Sequence, residues 1–202
     1  MKKVLVTGFE PFLHYPVNPT MEIVRELDEE QIGEYTVVTD ILPVDFRQSG
    51  RNVLERIAAV KPDAVIALGL AAGRSAITPE RIAVNCNDGD KDNEGNVPGG
   101  EKIREEGPDG IFSTLPIQEM VERLKHKGYP AHLSNSAGTY LCNHVMYEAL
   151  YSLQHTDIPA GFIHIPASHT LAMQVPNIPS WSQSDLTESI RVAISCLSKG
   201  ES

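Results

Sequence analysis

The order of apolar and polar positions along the chain predicts short buried strands that alternate with amphipathic helices. Uninterrupted apolar runs are typical of strands covered on both faces, and we predict strands at Lys3–Thr7, Tyr35–Leu42, Ala64–Leu68, Ile82–Val84, Ala131–Ser134 and Gly161–Ile165. Apolar residues three or four positions apart are typical of helices, which we predict at Pro19–Leu27, Ser49–Val60, Pro116–Lys127, Cys142–Leu153 and Ser184–Leu197. This alternation predicts an α/β fold, a single-domain three-layer α/β/α sandwich around a central twisted, largely parallel mixed sheet.

Length, composition and charge narrow the class of protein. A chain of 202 residues, 41% of them apolar, can bury one substantial core, so we expect one catalytic domain over residues 1–202. The formal charge is −10 and no Lys- and Arg-rich face is evident, which argues against nucleic-acid binding. The first apolar run is too short for a signal peptide, and none approaches the length of a membrane span. Three cysteines, an odd number, are expected to be free thiols, so we predict a cytoplasmic location.

One long segment interrupts the alternation of strands and helices. Residues Cys86–Gly110 are rich in Gly, Pro, Asp, Asn and Glu and have no periodicity. Loops longer than about 12–15 residues usually carry a function or move. We expect an irregular excursion here, and the sequence leaves open whether it is a lid, an interface or a mobile loop.

Cys142 is the candidate nucleophile. It follows a predicted strand and a small-residue loop and stands at the start of a predicted helix. Unpaired N–H groups at such a position can lower the pKa of a thiol and can hold an oxyanion, so we expect a thiolate. The alternative is a buried structural cysteine. Cys196 resembles ordinary core packing, and Cys86 stands close to acidic residues that disfavour a thiolate.

His164 is the candidate base and Glu80 the candidate partner that orients it. His164 lies inside an apolar strand near its carboxyl end, where the sites of α/β proteins gather. His144 falls two positions after Cys142 and points elsewhere on a helix, and the other five histidines lie in polar or loop contexts. Glu80 follows a glycine-bearing turn after a buried strand. Alternatively, Glu80 is a surface carboxylate that pairs with Arg74 or Arg81 and has no part in catalysis.

Cofactor chemistry has little support in the sequence. No HExxH or CxxC motif and no EF-hand loop is present, so we predict no metal site. The segment after the third predicted strand does not match a phosphate-binding loop, and no GxGxxG follows the first strand. We therefore expect no cofactor.

Two long motifs around these residues resemble the pyroglutamyl peptidase I family, also called pyrrolidone-carboxylate peptidases. The first, GLAAGRSAITPERIAVN, covers Gly69–Asn85 and contains the family's glutamate at Glu80. The second, LSNSAGTYLCN, covers Leu133–Asn143 and contains the family's nucleophile at Cys142. Further similarity, at VLVTGFEPF near the start and GFIHIP around His164, extends the resemblance over essentially the whole chain.

The resemblance implies a cysteine peptidase that removes N-terminal pyroglutamyl residues from peptides and proteins without a cofactor, through a thioester acyl-enzyme. Cys142, His164 and Glu80 would be its catalytic residues. The predicted substrate-binding residues are Phe9, Phe12, Tyr140 and Leu141. The resemblance also implies a homo-oligomer, a tetramer, with peptide substrates as its partners.

Three features depart from the family pattern. Many members carry glutamine after the strand glycine, where this chain has Leu70. Many also carry an arginine in the loop after the first motif, whereas the stretch 87–93 here is shorter and acidic, with Lys91 as its one basic residue. The spacing from Cys142 to His164 is slightly short, which we attribute to a trimmed loop.

Two other functions remain open from the sequence. One is a different cysteine amidase or hydrolase on an α/β fold, which turnover of glutamine would reveal. The Glu–Cys–His order and the lack of a GxCxG elbow count against it. The other is a non-catalytic binding module, in which Cys142 would react no faster with a thiol alkylator than Cys196.

Overall fold

A six-stranded mixed sheet forms the centre of the computed structural model, which describes residues 1–198. The strands are β1 Lys2–Phe9, β2 Gln31–Ile32, β3 Tyr35–Leu42, β4 Ala64–Leu70, β5 Thr78–Pro79, β6 Ile82–Val84, β7 Asn87–Asp88, β8 Gly99–Glu101, β9 Gly110–Phe112, β10 Ala160–Ile165, β11 Ala167–Ser168 and β12 Ser180–Trp181. The helices are α1 Pro19–Leu27, α2 Ser49–Val60, α3 Ile117–His126, α4 Leu141–Leu153, α5 His169–Ala172 and α6 Gln183–Ser195. The sheet order is β2-β3-β1-β4-β10-β5.

The four central strands are parallel, and the two short edge strands are antiparallel to their neighbours. Helices α1, α3 and α6 cover one face, and α2 and α4 cover the other. Strand β4 shows why both faces need cover: Ile66 and Leu68 belong to the core under α1, whereas Val65 and Ala67 belong to the core under α4. The predicted three-layer α/β/α architecture is therefore confirmed.

The helix bounds follow the signals in the sequence closely. Helix α1 begins at Pro19, and Asn18 caps it by accepting a hydrogen bond from Thr20 N at 3.1 Å. Helix α6 is capped in the same way by Ser182, whose hydroxyl accepts from Asp185 N at 3.1 Å. Among residues 1–198, no helix has the length and hydropathy that a bilayer-spanning segment requires.

Two predictions about local structure need correction. Ala131–Ser134 is not a strand, because it meets the 77–80 segment only through isolated bridges, Ile77 to Ala131 and Glu80 to Ser134. The Cys86–Gly110 excursion is not wholly irregular, because β7 pairs with β8 within it and β9 returns to pair with β6. Pairings of only two or three residues leave no periodic pattern in the sequence.

The excursion is fastened to helix α4 by buried polar side chains. Arg104 reaches Glu148 with Nε to Oε1 at 3.0 Å and Nη2 to Oε2 at 2.7 Å. His144 Nδ1 donates to Asn87 Oδ1 at 2.9 Å, and burial, with the nearby Arg104 charge, lowers the pKa of His144 to about 4. The Asn143 side chain accepts a hydrogen bond from Val84 N and donates one to Cys86 O. The polar residues of α4 therefore hold the excursion in place.

Loss of the Arg104 guanidinium is expected to destabilise the protein. Arg104→Met leaves the nearly buried Glu148 carboxylate without its cation, which we expect to cost about 1–2 kcal/mol, less than for a fully buried pair because Arg104 is partly exposed. Urea unfolding measures the loss. Arg25→Met, which removes an exposed pair with Glu22, is the matched control and should change the free energy of unfolding by less than about 0.5 kcal/mol. Equal effects of the two substitutions would contradict this account.

Candidate active site

Glu80 and His164 meet because the short edge strand β5 runs antiparallel to β10. In that pairing His164 lies opposite Thr78, and Glu80 N donates to Phe162 O at 2.9 Å. The side chains then join through His164 Nδ1 and Glu80 Oε1, 2.7 Å apart. Glu80 has no exposed surface and His164 is 5% exposed. The candidate base and its candidate orienting carboxylate are thus hydrogen-bonded to each other in a buried position.

The protonation state of this pair follows from its surroundings. Burial by itself raises the pKa of Glu80, but the hydrogen bond and charge of His164, with smaller contributions from Ser134 and Arg74, bring that pKa below its usual range. Burial lowers the pKa of His164 despite the opposing effect of Glu80. The pair is therefore a carboxylate and a neutral imidazole. A carboxylate only accepts, so Nδ1 carries the hydrogen and Nε2 keeps its lone pair.

Cys142 is the second residue of α4, whose N-cap is Tyr140. Its sulfur packs against the backbone of Gly69, where a Cβ atom would lie 2.8 Å from Sγ. Gly69 is the register partner of His164 across the parallel pair β4 and β10. Phe162 and His164 alternate with Ile163, and Phe162 belongs to the core under α4, so the imidazole and the thiol lie on the same side of the sheet. Glu80, His164 and Cys142 are brought to one end of the sheet.

The thiol of Cys142 is not ionised in this arrangement. Burial, together with the charge of Glu80, raises its pKa to about 12, although Arg74 and the helix backbone act in the opposite direction. This arrangement does not favour the resting thiolate expected from the sequence. The partial charge at the start of α4 is too small to offset desolvation of the sulfur beside a carboxylate. The resting state is a neutral thiol beside a neutral imidazole.

An apolar cleft, open to solvent, is lined in part by Cys142. It contains all four residues predicted to bind substrate, and its full lining is Phe9, Phe12, Asn18, Val44, Leu70, Tyr140, Leu141 and Cys142. None of these side chains is charged.

The lining residues differ in how freely they can contact a ligand. Phe9 is 3% exposed and packs against Phe162, so it belongs to the core as well as to the cleft wall. Phe12 is more exposed and lies against Tyr140, with the ring centroids 6.4 Å apart. Asn18, the cap of helix α1, also lines the cleft. Its amide is held by Glu10 O and Thr20 N, which hides its place in the cleft from any local pattern.

The other residues singled out in the sequence lie elsewhere or in other roles. Cys196 is buried in the core on the opposite face of the sheet, and Cys86 is half-buried beside Asn143, which donates to its carbonyl. Lys91 is exposed, and its carbonyl accepts from Tyr140 Oη at 3.0 Å. Over residues 1–198, no three His, Cys, Asp or Glu side chains cluster as metal ligands would.

Comparison with known proteins agrees with this architecture. The model of the pyroglutamyl peptidase family matches residues 2–200. The chain is 57% identical to a pyrrolidone-carboxylate peptidase of Oceanobacillus iheyensis over 199 residues, which is 98% of this chain and 100% of that protein. It is 50% identical to the protein of that name from Halalkalibacterium halodurans, covering 95% and 96% of the two chains.

Solved structures give the same result. Pyroglutamyl peptidase I of Bacillus amyloliquefaciens superposes with a TM-score of 0.93 at 39% identity, covering 97% of this chain and 96% of that one. The pyrrolidone carboxyl peptidase of Thermococcus litoralis has a TM-score of 0.92 at 39% identity, with 97% and 93% covered. The protein is thus a peptidase, a hydrolase built on a three-layer α/β/α sandwich. It belongs to the pyroglutamyl peptidase family.

The neutral thiol predicts how Cys142 reacts with an alkylating reagent. We expect alkylation of the free protein by iodoacetamide to accelerate steadily between about pH 6 and about pH 9, because the thiolate fraction rises throughout that range. Mass spectrometry of the Cys142 peptide measures the rate, and N-acetylcysteine, whose rate levels off above its ordinary pKa, is the control. A rate that does not change with pH would indicate a preformed thiolate.

Proposed function

We propose that this protein is a cysteine peptidase that removes N-terminal pyroglutamyl (5-oxoprolyl) residues from peptides and proteins. Cys142 is the nucleophile, His164 the general base and acid, and Glu80 the carboxylate that orients the imidazole. One observation carries the proposal: the Cys142 thiol lines an apolar cleft and packs on Gly69, the strand neighbour of the Glu80-bound His164. Membership of the pyroglutamyl peptidase family supports the choice of substrate.

The chemistry of the cleft fits a pyroglutamyl group. Pyroglutamate has no free α-amine, and its lactam is a flat, neutral ring with one donor and one acceptor. The cleft has no charged side chain that would hold an ammonium group, and aromatic rings from Phe12 and Tyr140 stand beside the sulfur. Leu70, where many relatives carry glutamine, is buried among Ala72, Ala167 and Leu171 and offers no side-chain hydrogen bond. Backbone groups would therefore supply most of the polar recognition.

Acylation begins from the neutral pair. Sulfur attacks the pyroglutamyl carbonyl carbon while His164 Nε2 takes the thiol proton, so the charges form only as the bond forms. Glu80 stabilises the imidazolium that results. Helix α4 begins without a side-chain cap, which leaves its first N–H groups available to the oxyanion. The imidazolium then protonates the leaving amine, and the shortened peptide departs from a thioester on Cys142.

Deacylation repeats these steps with water as the nucleophile. His164 takes a proton from water as its oxygen attacks the thioester carbonyl, and the same N–H groups hold the second oxyanion. The intermediate collapses with return of the proton to sulfur. Free pyroglutamate leaves, and the neutral Cys142–His164 pair is restored.

Removal of the sulfur tests the proposed mechanism. We expect Cys142→Ala to lower the kcat for a pyroglutamyl anilide by at least about a thousandfold, because the covalent route is lost. Cys86→Ala, another half-buried cysteine outside the cleft, should leave kcat within about twofold. Glutamine, assayed in parallel, separates this activity from that of a general amidase. Undamaged turnover by Cys142→Ala would refute the mechanism.

Loss of an aromatic wall should weaken substrate binding more than chemistry. Phe12→Leu removes the ring that faces Tyr140 across the cleft, and we expect KM for the pyroglutamyl anilide to rise about five- to tenfold with kcat little changed. Phe46→Leu is the matched control, because Phe46 also touches Tyr140 but does not line the cleft. A fall in kcat without a change in KM would assign Phe12 a different role.

Assembly and location are also part of the proposal. The homotetramer implied by the family resemblance would need apolar surface to cover, and Val97 and Phe112, which are 67% and 63% exposed, offer some of it. The three free thiols support a reducing, cytoplasmic location. Peptides with an N-terminal pyroglutamyl residue are the proposed partners, and the charge of −10 makes nucleic acid a poor one.

A further inference from the structure

A surface guanidinium reaches the buried carboxylate of the candidate site. Arg74 lies between β4 and β5, and its side chain is 31% exposed while that of Glu80 is 0% exposed. One nitrogen, Arg74 Nη1, donates to Glu80 Oε1 at 2.7 Å and to Thr78 Oγ1 at 2.5 Å. Glu80 Oε1 is also the oxygen that accepts from His164 Nδ1.

We propose that Arg74 is a positioning residue, which fixes the Glu80 carboxylate so that His164 presents Nε2 to the Cys142 sulfur. This inference rests on the proposed function of those three residues. Arg74 does not line the cleft, so it acts through Glu80 and not through substrate. Its bond to Thr78 ties the guanidinium to the strand that pairs with β10 at His164.

The hydrogen-bond pattern explains why Glu80 needs a second donor. Ser134 Oγ lies near enough to lower the pKa of Glu80, yet in this geometry it donates to Ser136 O, and Glu80 Oε2 has no donor among residues 1–198. With His164 alone, a single bond would hold the carboxylate, and rotation about its last torsion would carry the imidazole with it. Two donors converging on Oε1 fix its position, as in other sites where an orienting group is itself held.

The charge of Arg74 also affects the protonation of every group that faces it. The Arg74 cation lowers the pKa of Glu80, to which it is bonded, and also the pKa values of His164 and Cys142. The lower pKa keeps His164 neutral, and only the neutral imidazole can act as the base. Removal of the cation should therefore make the imidazole easier to protonate and the thiol harder to ionise.

The next arginine in the chain provides a matched control. Arg81 follows Glu80 directly, but its Nε donates to Asn135 Oδ1 at 2.9 Å. It carries the same charge and stands at the surface of the same segment without touching the carboxylate. Substitutions of Arg74 and Arg81 therefore separate a local bond from a general change of charge.

The test compares Arg74→Gln, Arg74→Lys and Arg81→Gln in a pyroglutamyl anilide assay across pH. We expect Arg74→Gln to lower kcat about tenfold or more, with KM within about twofold, and to move the acid limb of kcat/KM to higher pH. Arg74→Lys, which keeps the charge, should keep the acid limb near that of the wild type. Arg81→Gln should match the wild type throughout.

Three outcomes would overturn the inference. The first is that Arg74→Gln and Arg81→Gln have the same kcat and pH profile. The second is that Arg74→Gln has a lower kcat but an unmoved acid limb, and the third is that it changes KM alone. Circular dichroism establishes that each variant is folded, and Arg74→Met repeats the test if the glutamine variant is not.

Failure of the proposed function is distinguishable from failure of this inference. If the wild type does not cleave the pyroglutamyl substrate, the proposed function is wrong. The pH dependence of Cys142 alkylation then still tests Arg74, because it needs no substrate. The curve should shift to higher pH in Arg74→Gln and stay in place in Arg81→Gln; coincident curves would refute the role of Arg74.

Discussion

The hydrogen bond between Glu80 and His164 is the interaction on which the candidate site depends. Moving a carboxylate out of water is costly, so the fully buried Glu80 depends on the donors that reach its Oε1 atom. The imidazole supplies one donor and Arg74 another, and together they keep the carboxylate charged while the ring stays neutral. That arrangement of charges fixes the tautomer and leaves the Nε2 lone pair of the candidate base free.

Placement of the sulfur depends on the parallel sheet. The carboxyl ends of β4 and β10 meet at one edge, where Gly69 leaves a space that a Cβ atom would fill and the Cys142 sulfur occupies it. A side chain at Gly69 would also press on the ring of Phe162, at 2.7 Å. The glycine of the motif is thus required by the approach of α4 to the sheet. This close fit removes the thiol from water, which raises its pKa.

Helix α4 connects this site to the Cys86–Gly110 excursion. Its first residues form the cleft, and its polar side chains, among them Asn143, His144 and Glu148, are buried against the excursion. A helix covered by the sheet on one side and by a polar segment on the other is buried nearly all round. The same excursion accepts a hydrogen bond from Tyr140 through the carbonyl of Lys91. Tyr140, which forms part of the cleft wall, is therefore held both by helix α4 and by the excursion.

The sequence by itself determined the layered fold, the main helices and strands, and the identity of the candidate residues, because buried runs, caps such as Asn18 and two long motifs are local signals. It did not determine the protonation of Cys142, the place of Asn18 in the cleft or the burial of the Arg74–Glu80 pair. These depend on residues far apart in the chain, such as Glu80 and His164, and on how far each is removed from water. Desolvation and long-range contacts exist only once the chain has folded, so the tertiary structure alone decided them.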